Sequence, residues 1–266
     1  MANTLQNTAG NKVKFSVALQ SDAYKNLINN TLGDKEVART FIAEISTVVA
    51  QNHMLQNCDN ATILSAGLLA QSLKLPLAPA LGFAYIVPYG NKAQFQIGYK
   101  GLVQLAIRSN QFERLGVRPV HEGEYVGQDE FGDDTFKFSH DYDSKPVVGY
   151  YAYFKLLSGF KKTLYWTKEQ CELHAKQYSK SFGTGKTTDN WTNNFDGMAQ
   201  KTVLKLLLNR YAPLSVELQK AIQSDQAVID KDNKPVYVDN KDVETDESVE
   251  EVVTNEDPLD LTDLAE

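Results

Sequence analysis

The spacing of apolar residues in this chain changes period twice, and the two changes restrict the folds open to it. Residues 16–75 read as helical, with Val37, Phe41 and Ile45 at the spacing of one helix face. Residues 112–167 read mostly as β-strands joined by acidic loops, and helical patterns return after them. Because helices, strands and helices follow one another without βαβ alternation, we predict an α+β fold, with antiparallel β-hairpins or a small sheet packed with several helices.

Turn residues predict two hairpins. In residues 82–99 large residues alternate with Ala84 and Ile86 before a turn at residues 88–91, and Phe95, Ile97 and Tyr99 alternate with Gln94 and Gln96 after it. Residues 147–157 and 160–166 flank the dipeptide Ser158-Gly159, which is typical of a two-residue hairpin turn. Helices are expected over residues 34–52, 100–110, 167–178, 194–211 and 215–224, and Thr167 with Gln170 forms a capping box at the start of the third.

The net charge of −7 conceals a division of the chain. Residues 225–266 carry fifteen acids and three lysines, a net −12, whereas residues 1–224 carry a net +5. High charge and low hydrophobicity predict a largely disordered acidic tail over residues 225–266. Residues 1–29 form an N-terminal segment that is loosely ordered or serves oligomerisation, and residues 30–224 form the domain. A mildly basic domain suits a nucleic-acid partner, and equally fits an ordinary soluble protein.

Several classes of protein are not expected. No run of about 18 apolar residues is present, so we expect no transmembrane helix and no membrane partner. The first twelve residues lack the apolar core of a secretory signal, and two cysteines are too few for a disulfide framework. The expected location is the bacterial cytoplasm.

Two short motifs resemble ligand sites but lack required residues. In the Gly183–Thr187 segment, the glycine that a phosphate-binding loop needs five places before Gly185 is replaced by Lys180, so a flexible loop is predicted. Cys171 and His174 have the spacing of zinc ligands, but no second pair accompanies them. We expect Cys171 to be a core thiol and His174 to lie on a helix surface.

An acidic cluster leaves one enzymatic alternative open. Asp129, Glu130, Asp133 and Asp134 would hold Mg²⁺ in a DNA nuclease if rigid elements fixed them close together. As loop residues they would instead be solvated. No Ser-His-Asp or Cys-His arrangement is visible, so no catalytic residue and no metal ligand is predicted.

Two predicted helices carry narrow polar stripes without acids. On a helical wheel Lys100, Gln104 and Arg108 share one stripe, and Lys201, Thr202 and Lys205 share another with Asn209. All these side chains offer hydrogen-bond donors that suit phosphate oxygens. The alternative is that both stripes are ordinary solvated faces, as in a protein with a purely structural or interaction role.

The Ser158-Gly159 hairpin adds cations beside aromatic rings. A two-residue turn would place Lys155 opposite Lys162 and Tyr151 opposite Trp166. Like charges opposite one another are unfavourable, and an anion bound between them would remove that cost. Aromatic rings next to cations are typical of single-strand binding. Alternatively the lysines extend into water, or the register differs.

Two blocks of sequence resemble phage RecT-type single-strand annealing recombinases. Residues 63–109 resemble the central signature of that family, and residues 191–215 resemble its later signature. The features shared are the first hairpin, the Gly-Tyr-Lys-Gly entry to a short helix at residues 98–101, and Lys201-Thr202 in a leucine-rich helix. The resemblance covers about residues 30–220, and the tail has no matching part.

The resemblance implies a function that is not enzymatic and needs no cofactor. Proteins of this family coat single-stranded DNA and anneal it to a complementary strand without ATP, as rings or helical filaments, in phage homologous recombination. It implies as partners single-stranded and annealed duplex DNA, further copies of the chain, a phage 5′→3′ exonuclease and the host single-strand binding protein. By motif it carries DNA contact onto Tyr99, Lys100, Lys201 and Thr202. With the residues chosen from their own patterns, the predicted DNA-binding set is Tyr99, Lys100, Gln104, Arg108, Lys155, Lys161, Lys162, Lys186, Lys201, Thr202 and Lys205.

Overall fold

A computed structural model of the chain describes residues 13–179, 181–185, 189–226, 228–229 and 235–236. Along the chain, helices precede and follow the main group of strands instead of alternating with them one by one, so the predicted α+β class is confirmed. The helices are α1 (Phe15–Ala18), α2 (Asp22–Leu32), α3 (Lys35–Gln51), α4 (His53–Gln56), α5 (Asn60–Ser72), α6 (Tyr99–Arg108), α7 (Lys168–Tyr178), α8 (Asn190–Asn193), α9 (Phe195–Tyr211) and α10 (Val216–Gln223). The strands are β1 (Ala84–Tyr89), β2 (Lys92–Ile97), β3 (Phe112–His121), β4 (Tyr125–Gln128), β5 (Asp134–Phe136), β6 (Val147–Leu156), β7 (Lys161–Thr167), β8 (Val228–Ile229) and β9 (Pro235–Val236).

The long N-terminal helices pack because small residues let them approach. Asp34 begins α3 by accepting hydrogen bonds from the amides of Glu36 and Val37. Helix α5 is apolar on most sides and buried along its length. A side chain at Gly67 of α5 would collide with Ile45 on α3, so a glycine is needed where these two helices cross.

The predicted first hairpin is confirmed as β1–β2, with Ala84 paired to Ile97 and Tyr89 paired to Lys92. Its turn is the dipeptide Gly90-Asn91, in which Gly90 has a φ of 57°. This left-handed conformation is one that glycine adopts without strain.

The second sheet is antiparallel and has the strand order β3-β6-β7. Side chains of β6 alternate between buried and half-buried, as expected of a strand packed on one face. Tyr150, Ala152 and Phe154 point to the packed face, where the Tyr150 hydroxyl donates a hydrogen bond to Asp196 of α9. The neighbouring residues of β6 therefore point to the opposite face.

The predicted register of the β6–β7 hairpin is wrong by one residue. The strands end at Leu156 and Lys161, so the connection is four residues long instead of two. Lys155 lies opposite Lys161, and Lys162 lies opposite Phe154. Likewise the ring opposite Trp166 belongs to Tyr150 and not to Tyr151. A shift of one residue exchanges the two faces of a strand, so Lys161 joins the face of Lys155 and Lys162 leaves it.

Both ends of the described chain belong to the same core. Phe15 and Ile28, from the predicted N-terminal segment, are buried, and so is Asp225, the first residue of the predicted tail. Most of that tail lies outside the described residues, so its predicted disorder and the division of the chain remain predictions. No helix of the described residues has the length and apolar character to cross a membrane.

Candidate nucleic-acid interface

Three cations form a row across the three-stranded sheet. The register aligns Arg114 of β3 with Lys155 of β6, and Lys155 with Lys161 of β7. Arg114 and Lys161 are exposed, and Lys155 forms an ion pair with Glu113 Oε2 at 2.7 Å. We call Arg114, Lys155 and Lys161 the cation row. It lies on the face of the sheet opposite α9, because these positions alternate with the buried residues of β6.

The next rows of the same face contain aromatic residues. Tyr153 of β6 lies between Gly116 and Thr163, and Tyr151 lies between Arg118 and Tyr165. The β4–β5 hairpin packs over the Tyr151 row through aromatic contacts. Phe136 lies with its ring centroid 4.6 Å from that of Tyr151 and 5.2 Å from that of Tyr165.

The predicted residue Tyr99 lies next to this face. Burial, together with the neighbouring Tyr153, raises the pKa of Tyr99. Tyr99 and Lys100 begin α6 and are both exposed. The glycines around them explain their position, since a side chain at Gly98 or Gly101 would overlap the backbone carbonyl of Gly82 or Phe83. The Gly-Tyr-Lys-Gly motif therefore allows α6 to start directly against the chain entering β1.

Of the predicted α6 stripe, Arg108 is engaged within the fold. Its Nη1 and Nη2 atoms donate hydrogen bonds to the carbonyls of Leu73 and Lys74, each at 2.8 Å. These carbonyls close the end of α5, so the guanidinium caps that helix. Gln104 is half-buried, and Lys100 forms no ion pair with any described residue. Lys100 is thus the cation of this stripe that is available to a ligand.

The stripe on α9 is not a solvated, acid-free face as predicted. Lys201 is buried, and its Nζ lies 3.1 Å from Asp225 Oδ1, while Lys205 Nζ lies 2.8 Å from Asp225 Oδ2. The amide of Ile97 on β2 also donates to Asp225 Oδ1 at 3.1 Å. Burial alone would raise the pKa of Asp225, but Lys201 and Lys205 hold that pKa below its ordinary value. The acid was missed because it lies outside the helix that carries the cations.

A small cavity of about 70 Å³ lies beside this ion-pair cluster, and half-buried Thr202 lines it. His174 also lines it, and its ring packs against Trp166 and Trp191, so its predicted surface position is wrong. Burial and the nearby Lys205 lower the pKa of His174 to about 4, which keeps the ring neutral at physiological pH.

Cys171 is a buried thiol, as predicted, and burial raises its pKa to about 12. The thiolate that zinc requires is therefore disfavoured. Trp191 is buried as well and contacts Phe195 at a centroid distance of 5.7 Å. Cys171 and Trp191 therefore both pack in the core.

The acids proposed as metal ligands have other partners. Asp133 forms an ion pair with Lys162 at 2.6 Å, and Asp129 Oδ1 accepts hydrogen bonds from the amides of Phe131 and Asp133. Within the described ranges, no group of three or more His, Cys, Asp or Glu side chains is arranged to hold a metal ion. Lys162 is thus tied to the β4–β5 turn, away from the cation row.

The Gly183–Gly185 segment is anchored by a buried carboxylate. Asp189 accepts hydrogen bonds from the Gly183 amide at 2.9 Å and from Thr192. The Gly183 amide is therefore engaged by the chain itself and is not free to bind a phosphate. Lys186 lies outside the described residues, and its DNA contact remains a prediction.

The structure thus places the predicted site residues in different parts of the fold. Lys155, Lys161 and Tyr99 lie on or beside one sheet face, whereas Lys201 and Lys205 lie at the Asp225 cluster. Sequence reasoning missed Arg114 and Tyr153 of the sheet face. The alternation of faces along β6 would have indicated Tyr153, which lies two residues from Lys155, but Arg114 joins the row only through the pairing of β3 with β6.

Comparison with known proteins supplies the family. The sequence profile of the RecT family matches residues 39–239. The "Uncharacterized protein YqaK" of Bacillus subtilis (strain 168) is 40% identical over 230 residues, covering 84% of this chain and 78% of that protein. The "Protein RecT" of Escherichia coli (strain K12) is 30% identical over 256 residues, covering 90% of each.

Proposed function

The chain belongs to the RecT family, which gives it a role in DNA recombination and strand annealing, and we propose that it acts by binding single-stranded DNA on the cation row without ATP. The observation that carries the proposal is the alignment of Arg114, Lys155 and Lys161 across three strands. Cations aligned in a row attract the phosphates of a DNA strand. Exposed Lys100 and Tyr99, beside the same face, extend the surface.

The physical task of an annealing protein is to bring two polyanions together. Cations lower the repulsion between the strands, and bases that remain accessible can test a partner strand. Watson–Crick pairing then supplies the specificity, so the protein needs neither base-edge contacts nor a catalytic group. On this proposal the chain is not an enzyme, binds no cofactor and works in the cytoplasm of a bacterial cell.

We also propose that the chain acts as an oligomer, a ring or a helical filament. Three cations per subunit give weak binding alone, but assembly along one strand multiplies it. The N-terminal helices support this proposal, because Val17, Leu27 and Met54 are about half exposed, at 57%, 48% and 50%. A phage 5′→3′ exonuclease and the host single-strand binding protein remain proposed partners.

The test is an annealing assay with two complementary fluorescent oligonucleotides in buffer that contains EDTA and no ATP. We expect the protein to accelerate pairing, and we expect the Lys155→Gln, Lys161→Gln double variant to lose most of the acceleration. The matched control is Lys168→Gln, Lys176→Gln, which removes the same charge from exposed positions on α7.

Two results would overturn the proposal. One is equal annealing by the two double variants, which would remove the cation row from the function. The other is Mg²⁺-dependent shortening of labelled DNA that Asp133→Ala abolishes, which would favour a nuclease.

A further inference from the structure

The ring of Tyr153 lies over a glycine. A Cβ atom at Gly116 would lie 2.8 Å from Tyr153 Oη and 3.0 Å from Cζ, so the ring occupies the space that any other residue of β3 would fill. Tyr165 lies over Gly149 in the same way. A ring supported from below by the sheet directs its other side away from the strands.

The two glycine-backed tyrosines differ in what covers them. Tyr125 stacks on Tyr165 with ring planes 15° apart and centroids 5.6 Å apart. Among the described residues, the one ring contact of Tyr153 is with Tyr151 of the same strand, at a centroid distance of 5.9 Å and with ring planes 26° apart. No ring from another strand or hairpin stacks on Tyr153 in that part of the chain, in contrast to Tyr165. The Tyr125–Tyr165 pair shows that a tyrosine in this setting accepts a planar ring, and Tyr153 is half-buried like Tyr165.

The cation row lies about one nucleotide's reach from the Tyr153 ring. Lys155 is two residues along β6 from Tyr153, which in a strand is about 7 Å. Arg114 and Lys161 flank Lys155 on the neighbouring strands. A planar group on Tyr153 that carries an attached phosphate would therefore place that phosphate within reach of the cation row.

We propose that Tyr153 is a base-stacking site for single-stranded DNA, with a nucleobase on its outward ring and the adjoining phosphate on the cation row. This inference rests on the proposed function and adds the position of a base to it. Bases inside a duplex are stacked on one another and offer no free face, so the site selects single strands. Every base has a π-face, so the site does not select sequence.

The experiment compares two substitutions on two probes. Tyr153→Leu removes the ring, and Tyr153→Phe keeps it while removing the hydroxyl. The probes are oligo(dT) and an abasic oligonucleotide of the same length, which has the same phosphates without bases. We expect Tyr153→Leu to bind oligo(dT) about 10-fold more weakly than the wild type and to bind the abasic probe equally well. Tyr153→Phe should resemble the wild type on both probes.

The possible failures are distinguishable. If the wild type binds neither probe, the proposed function itself fails. If Tyr153→Leu weakens both probes equally, or weakens neither, the stacking site is refuted while DNA binding stands. Should Tyr153→Leu not fold, photocrosslinking of the wild type to an oligonucleotide containing 5-iododeoxyuridine decides the matter. We expect the crosslink at Tyr153, and a crosslink confined to other peptides would overturn the proposal.

Discussion

Asp225 Oδ1 lies 3.1 Å from Lys201 Nζ in the interior of the protein, with 1% of the Asp225 side chain and 8% of the Lys201 side chain exposed. The same carboxylate binds Lys205 and the amide of Ile97. The first residue of the acidic C-terminal block is therefore a structural counter-ion that joins α9 to β2.

Removing that counter-ion should destabilise the protein. Asp225→Asn leaves a buried ammonium without its charge partner, and we expect a loss of about 3 kcal/mol in the free energy of unfolding. Urea unfolding measures it. The matched control is Glu36→Gln, which breaks the exposed pair with Arg39 and should cost less than about 1 kcal/mol. Equal losses in the two variants would mean that the Asp225 cluster contributes no more than a surface pair.

The contribution of Asp225 should depend on pH in a defined direction. Its pKa is lowered in the folded protein from the ordinary value of 3.8, so the unfolded chain takes up the proton first as the pH falls. The stabilisation is fully present above pH 3.8 and is lost as the pH falls through the folded pKa. We expect the difference in unfolding free energy between wild type and Asp225→Asn to be constant near neutrality and to shrink in that acidic range. A difference that already disappears near neutral pH would contradict this assignment.

The position of a truncation should decide its effect. A chain ended after Ser224 loses Asp225, whereas a chain ended after Val236 retains it and still loses most of the acidic block. We expect the shorter chain to melt at a clearly lower temperature and the longer one to melt like the full chain, in a thermal scan followed by circular dichroism. Comparison of the longer chain with the full protein then tests whether the acids compete with DNA. Equal melting of the two truncated chains would show that Asp225 is dispensable.

Arg108 should act on stability more than on DNA binding. Arg108→Lys keeps the charge but cannot donate to the Leu73 and Lys74 carbonyls together, so we expect a loss of about 1 kcal/mol in urea unfolding. The salt dependence of single-strand binding should not change. An unchanged stability with a reduced salt dependence would instead assign the guanidinium to DNA.

The cation row should determine the salt dependence of binding. Lys161→Gln should lower the slope of log affinity against log salt by about 0.7, the value for one phosphate contact on a single strand. Glu113→Gln removes the acid paired with Lys155 and should strengthen binding, because Lys155 is then free for DNA. Fluorescence anisotropy over a salt series measures both. If the Lys161→Gln and Glu113→Gln variants both have the salt slope of the wild type, the cation row does not contact the DNA.

The elements that could be predicted from the sequence are those encoded by neighbouring residues. The hairpin around Gly90-Asn91 and the capping box at Thr167 are such cases, because each depends on side chains within a few positions. The second hairpin was displaced by one residue because its connection has four residues, and a dipeptide with turn character does not determine loop length.

The charged partners could not be predicted in the same way. Asp225 reaches Lys201 across 24 positions, and Glu113 reaches Lys155 across 42, so no local pattern links either pair. A helical wheel shows which residues share a face, but it does not show what packs on that face. For that reason the α9 stripe, free of acids in sequence, proved to hold two lysines that share one buried carboxylate.

The cation row joins Arg114 to two lysines that follow it 41 and 47 positions later. In an extended chain these charges are diluted among acids, and the whole molecule is an anion of −7. The folding of β3 against β6 therefore creates the surface that, on the proposed function, attracts DNA. A chain that has not formed this pairing lacks the row, so under that proposal only folded subunits would assemble on a strand.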